Sequence, residues 1–168
     1  MNTGVFPSQQ RISTPRFRRY VYRVAGTYMW RTPPGVLSCR VELQGGAGGN
    51  LASGPKGFGG RGSALIKLLP PEVQVVVGAA SLGNNGSAGG TSSFGSFATA
   101  TNGSSSGGSP VNGTFTRDPR TTDDEGGLIT DDAFYQGNIP QGCGTVRVDG
   151  VVYLAPYVSI EWIEDYMP

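Results

Sequence analysis

Apolar and polar positions alternate with period two along much of this chain, and no segment sustains a helical period. The clearest case is VLSCRVELQ. Leu37, Cys39, Val41 and Leu43 fall on one face of an extended chain, and Ser38, Arg40, Glu42 and Gln44 on the other. Cys39 is therefore read as a small core residue rather than a reactive thiol. YVYRV from Tyr20 is β-branched and aromatic, and GTYMWRTPPG puts Tyr28 and Trp30 on one face before a Pro-Pro-Gly turn. SALIKLL stops at Pro70-Pro71, too short for a convincing helix, and EVQVVVG alternates through Val73, Val75 and Val77. GGTSSFGSFATA reads as a short strand pair anchored by Phe94 and Phe97. Asp149-Gly150 between alternating runs predicts a hairpin that pairs Val148 with Val151 and Val146 with Tyr153. The last strand, YVSIEWI, aligns Val158, Ile160 and Trp162. The pattern predicts an all-β chain: a small β-sandwich with long glycine-rich loops and an extended N-terminal arm.

Two stretches break the alternation. Residues 1–19 read as an arm, made basic by Arg11, Arg16, Arg18 and Arg19, with Phe6, Ile12 and Phe17 as anchors. It is either a frayed terminus or a peptide that orders on a partner protein. On the second reading, Phe6, Ile12, Arg16, Phe17, Arg18 and Arg19 carry the contact. Residues 20–168 form the glycine-rich β domain. Within it, residues 102–142, poor in apolar side chains, read as one irregular loop insertion, uncommon in length unless functional or buried in an assembly.

Composition sharpens this picture. The chain holds 28 glycines in 168 residues, each costing about 0.5–1 kcal/mol relative to alanine within regular structure. Compensation has to come from close backbone packing or from burial in a larger assembly. Charged residues are 15% and the net charge is +1, which gives no basis for a nucleic-acid partner. With no histidine, Ser-His-Asp and Cys-His nucleophilic sites and the common zinc sites are excluded. Cys39 and Cys143 are expected as thiols, because no secretion signal precedes them. No apolar run approaches the ~20 residues of a membrane span.

Candidate chemistry is sparse. GFGGRG, from Gly57 to Gly62, matches the dinucleotide pattern, which needs a helix after it to receive the pyrophosphate; a double proline follows too soon for one. SGPKGF around Lys56 lacks the spacing of a phosphate loop. Asp123, Asp124, Glu125, Asp131 and Asp132 form an acidic run, read as a solvated loop ahead of a calcium site or the paired acids of a glycosidase. Arg61 among glycines is thin support for RNA binding. No cofactor and no catalytic residue are expected. Most aromatics lie in predicted strands and read as core or subunit packing. Phe115, Phe134 and Tyr135, at loop edges, are candidates for stacking on sugar rings or anchoring a protein partner.

The order GTYMWRTPPGV, VLSCRVELQGGAGG, FGGRGSALIKLLPPEVQVVVGAA and GGTSSFGSFATATNG resembles the glycine-rich domain at the distal end of bacteriophage tail fibres and related minor tail proteins. The similarity spans about Tyr20 to Gly103, and Gly89 to Gly95 is its most specific part. It implies a virion protein of the tail, made in the host cytoplasm, displayed at a fibre tip, usually trimeric, and facing the host surface. It implies partners among other virion proteins, reached through the arm, and a host glycan or outer-membrane protein. A related class of tip adhesins packs glycine stretches as polyproline-II helices. Here the runs are short and broken, so the expectation is exposed loops at 45–62, 80–90 and 102–142 rather than a polyglycine layer. The alternatives are a head decoration, collar or tail-assembly component without a receptor role, and a virion glycan hydrolase using Asp123, Asp124, Asp131 and Asp132.

Overall fold

The structure, a computed structural model, describes residues 15–48, 57–81, 88–106, 109–119, 145–148 and 151–164, with main chain only at 105–106, 109–110, 145–148 and 151–154. Its strands are β1 (Arg16–Tyr22), β2 (Gly26–Arg31), β3 (Ser38–Gln44), β4 (Arg61–Lys67), β5 (Glu72–Val77), β6 (Ser92–Phe94), β7 (Ala98–Ala100), β8 (Ser104–Ser106), β9 (Ser109–Val111), β10 (Phe115–Arg117), β11 (Thr145–Val148), β12 (Val151–Leu154) and β13 (Tyr157–Glu164). There is no helix among the described residues. One antiparallel sheet has the order β1-β13-β3-β4 and the other β10-β7-β6-β5-β2. The all-β sandwich expected from the alternation is the observed architecture.

The inward face of each strand is the apolar half of its period-two pattern. Cys39, Val41 and Leu43 from β3, Ala64 and Ile66 from β4, and Val158 and Ile160 from β13 meet Trp30 from β2, Val73, Val75 and Val77 from β5, Phe94 from β6 and Ala98 and Ala100 from β7 in one core. Trp30 lies obliquely between Phe94 and Trp162, with ring centroids 5.7 and 5.8 Å away, and so joins its own sheet to β13 of the other. Trp162 is half-buried at the margin of this core, and Leu37, outside β3, is exposed rather than inward. The hairpin register Val148↔Val151 and Val146↔Tyr153 is present between β11 and β12.

Two boundaries differ from expectation. Residues 16–19, read as the end of the arm, belong to β1, paired along its whole length with β13 from Arg16↔Glu164 to Tyr22↔Val158. Alternation is masked there because β1 is an edge strand with both faces largely exposed. Within the insertion expected at 102–142, the described residues include three strands, β8, β9 and β10, and β10 extends the second sheet through Phe115↔Ala100. Three-residue strands such as β10 are too short to show a period.

Candidate functional site

Six segments without strand or helix, 45–48, 57–60, 78–81, 88–91, 101–103 and 112–114, continue β3, β4, β5, β6, β7 and β10. Sheet neighbours are antiparallel, so all six leave the sandwich at the same pole. There they bond to one another through main-chain atoms. Segment 45–48 reaches four others: Gly45 N–H donates to Gly60 O (2.9 Å), Gly46 N–H to Gly90 O (2.8 Å), Ala47 O accepts from Ser81 N–H (2.9 Å), and Gly46 O accepts from Gly103 N–H (2.9 Å). A β-strand aims its donors and acceptors in one plane and pairs with two neighbours at most. Four neighbours around one short segment need donors and acceptors turned in several directions, which the ladder of a strand does not offer.

Glycine is required in this bundle because the missing Cβ is the space for the next chain. A Cβ on Gly46 would lie within 3.0 Å of Ala79 and Gly90 main-chain atoms, and one on Gly60 would meet the main chain of Thr114 at similarly forbidden range. None of the bundle glycines has a left-handed φ; that conformation occurs instead at Gly35 (φ 81°) and Gly95 (φ 51°). The short runs thus do build a packed glycine layer, the close backbone packing that the glycine content calls for, and 45–48, within the stretch expected to be exposed loop, is buried. No single run revealed it, because the layer is assembled from six places in the chain.

Polar side chains clamp the junction of bundle and sandwich. Gln44 Nε2 donates to Gly45 O (3.2 Å) and Gly59 O (3.0 Å). Beside it, Arg61 Nε donates to Glu42 Oε1 at 2.9 Å and the Tyr157 hydroxyl donates to the same oxygen at 2.8 Å. The Arg61 and Glu42 side chains are only 5% and 15% exposed. Burial alone would lower the Arg61 pKa; Tyr157 and Glu42 more than offset it, and the net shift is upward. Gln44 Oε1 and Ser63 Oγ are buried beside this group without a hydrogen-bond partner.

At the opposite pole β3 and β13 separate. Their pairing ends at Glu161↔Arg40, although β13 continues against β1 to Glu164 and β3 begins against β4 at Ser38. Between them lies a cavity of about 500 Å³, floored by Cys39 and Trp162 and rimmed by Phe17, Leu37, Leu65 and Ile163. Phe17, Leu37 and Ile163 are 65%, 72% and 60% exposed. Nearby, Leu68 is 84% exposed in a left-handed conformation (φ 60°), a double departure from ordinary surface chemistry.

The expected site residues fall into three groups. Phe6, Ile12, Phe134 and Tyr135 lie outside the described residues, as do Cys143 and the acidic run 123–132. Arg16, Phe17, Arg18 and Arg19 lie on β1; Arg18 pairs with Glu164 at 3.0 Å, and Arg19 bonds Ser159 Oγ at 3.0 Å and lies 3.3 Å from Glu161. The Glu164 pKa is lowered, chiefly by the hydrogen bond from Trp162 Nε1 and then by Arg18. Phe115 is not a loop anchor. It sits in β10 with its ring against the core, in space left by the absent Cβ of Gly62. The G-x-G-x-x-G match runs into β4, a strand, so the helix N-terminus needed for a pyrophosphate is missing there. Burial pushes the free Cys39 thiol up to about 12. Among the described residues no three His, Cys, Asp or Glu side chains come together as metal ligands would. The groove escaped the sequence reading because strand separation leaves no mark in an alternating pattern. Comparison with protein-family models, curated proteins and solved structures finds no match.

Proposed function

We propose that this chain is a non-enzymatic structural and binding protein of a bacteriophage particle, a tail-fibre or tail-tip subunit that meets the host surface. The observation that carries the reading is the glycine bundle. It gathers the ends of three connections, 49–56, 82–87 and the one from β8 to β9, at one pole and holds their bases by main-chain hydrogen bonds such as Gly48 N–H to Gly57 O (3.0 Å). A connection anchored in this way can change its own residues without disturbing the core, because the main-chain hydrogen bonds at its base do not depend on the side chains within the connection. That division suits a recognition surface of polar side chains, with weak individual contacts multiplied by copy number, as in a trimer. The opposite pole, with exposed Leu37 and Leu68, suits attachment to the particle, alongside the segment before β1.

The test is adsorption. Purified protein should adhere to host cells and compete with the phage, and replacing residues 49–56 and 82–87 by Gly/Ser linkers of equal length should abolish both while leaving the unfolding midpoint in place. Adhesion that survives both replacements overturns the receptor reading. A protein that binds other particle components but no cell would support the assembly role in its place. Sugar release from host polysaccharide would point to the hydrolase.

A further inference from the structure

β2 is the last strand of its sheet and pairs with β5 on one side only. The register runs from Gly26↔Val77 to Arg31↔Glu72, and Thr32 N–H continues the ladder by donating to Pro71 O at 2.9 Å. Hydrogen-bonded pairs alternate along an antiparallel ladder. Gly26, Tyr28, Trp30 and Thr32 therefore aim their main-chain groups at β5, and Thr27, Met29 and Arg31 aim theirs away from it. The far side of β5 agrees: Gln74, opposite Met29, turns its carbonyl the other way and accepts Gly95 N–H at 2.7 Å. Thr27, Met29 and Arg31 are all exposed, Met29 by 56%, and no described residue bonds to their outward main-chain groups.

The other edges of the two sheets are closed or guarded. β4 and β10 meet where the Phe115 ring fills the space above Gly62. β1 carries Arg16, Arg18 and Arg19, the kind of charged edge that keeps other strands away. β2 has no charge, proline or glycine from Thr27 to Trp30, so its edge stands as a template for an added strand.

The sequence of β2 says which strand fits. Thr27, Met29 and Arg31 are all satisfied by a second β2 related by a two-fold axis through Met29. Met29 then meets Met29 of the second copy, and Thr27 meets Arg31 in both directions, each pair exchanging both of its main-chain bonds. Tyr28 lies across from Trp30, and no like charges face each other. Moving the axis to Arg31 sets Arg31 against Arg31, and moving it to Thr27 sets Arg31 against Arg23. An axis at Tyr28 leaves Arg31 beyond the start of the partner strand, and one at Trp30 sets Thr27 against Pro33, which has no N–H to give. We propose that two copies of the chain join through β2 across the axis at Met29, fusing their five-stranded sheets into one. This pairing is separate from the receptor reading and from any three-fold arrangement on the particle.

Sedimentation of the full-length protein between about 1 µM and 1 mM tests this. The average mass should rise with concentration toward that of two chains. Met29→Lys and Met29→Glu each place like charges on the axis, and each alone should pair about tenfold more weakly. Their unfolding midpoints should stay in place, because the side chain is exposed. An equimolar mixture of the two variants should recover the dimer, since the lysine of one copy then faces the glutamate of the other. Amide exchange at Thr27, Met29 and Arg31 should slow as concentration rises, while Tyr28 and Trp30, already bonded to β5, keep their rates. A protein that stays monomeric throughout, or a Met29→Lys variant that pairs as well as the parent, overturns the proposal. Variants that remain apart when mixed put a different strand or register at β2 and overturn the two-fold axis. No host cell takes part, so pairing and adsorption succeed or fail independently.

Discussion

Ser92 Oγ donates to the Gln44 carbonyl oxygen at 2.7 Å and accepts the Gly78 N–H at 3.0 Å. One hydroxyl from β6 thereby joins β3 of the facing sheet to the first glycine after β5, at the level where side-chain packing gives way to main-chain packing. All three residues are buried, so no water replaces the bonds when the hydroxyl is removed. Ser92→Ala should cost about 1–3 kcal/mol in urea denaturation, with two buried main-chain groups left unpaired. An unchanged midpoint would show that Ser92 does not couple the layers.

Glycine has two separate uses here, and alanine scanning should separate them. Gly46→Ala drives a methyl group into the Ala79 and Gly90 main chain, which cannot swing aside as a side chain can. The expected loss is about 3 kcal/mol or more, enough to prevent folding in a marginal domain. Gly35→Ala meets no atom within 4 Å and pays only for its φ of 81°, about 1–2 kcal/mol. Thermal unfolding of the two variants should rank them in that order. The reverse order would mean that the bundle relaxes around a methyl group.

The sandwich was legible because period-two patterning reports which face of a strand is buried, and β3, β5 and β13 carry enough residues to display it. Three things were not legible, for distinct reasons. The bundle depends on which glycines meet across the fold, so Gly46 and Gly90 look like unrelated loop residues in sequence. Phe115 looks like a loop aromatic because its strand is three residues long and the space for its ring comes from Gly62, over fifty positions earlier. Arg16 to Arg19 look like a disordered basic arm because their partners, Glu161 and Glu164, lie at the other end of the chain.

The Arg61–Glu42 pair under the bundle should behave as a buried charge rather than a surface ion pair. Glu42→Gln keeps the shape and an oxygen that can still accept from the Tyr157 hydroxyl, but leaves the 5%-exposed guanidinium without its counter-charge. The cost should be about 3–5 kcal/mol, well above the ~1 kcal/mol ceiling of exposed pairs such as Arg31–Glu72. A Glu42→Leu/Arg61→Met double variant should recover much of the loss, since neither charge then remains buried alone. A double variant as unstable as Glu42→Gln would mean that the pair contributes through its hydrogen bonds to the bundle junction.

Cys39 links the core to alkaline pH. Burial raises its thiol from 9.0 to about 12, so the native protein holds a proton that the unfolded chain releases earlier. A raised native pKa contributes stability that is complete below the unfolded value of 9.0 and is lost as pH climbs through that value toward about 12. In a Cys143→Ser background, the thiol should react with a disulfide reagent near pH 8 many times more slowly in the native protein than in urea, because both the thiolate and access to it are withheld. Replacing Cys39 by alanine should remove this thiol's share of the alkaline loss from the curve of unfolding free energy against pH. If native and unfolded protein react at the same rate, the floor of the groove is open to reagents from outside and the thiol is not held in the core.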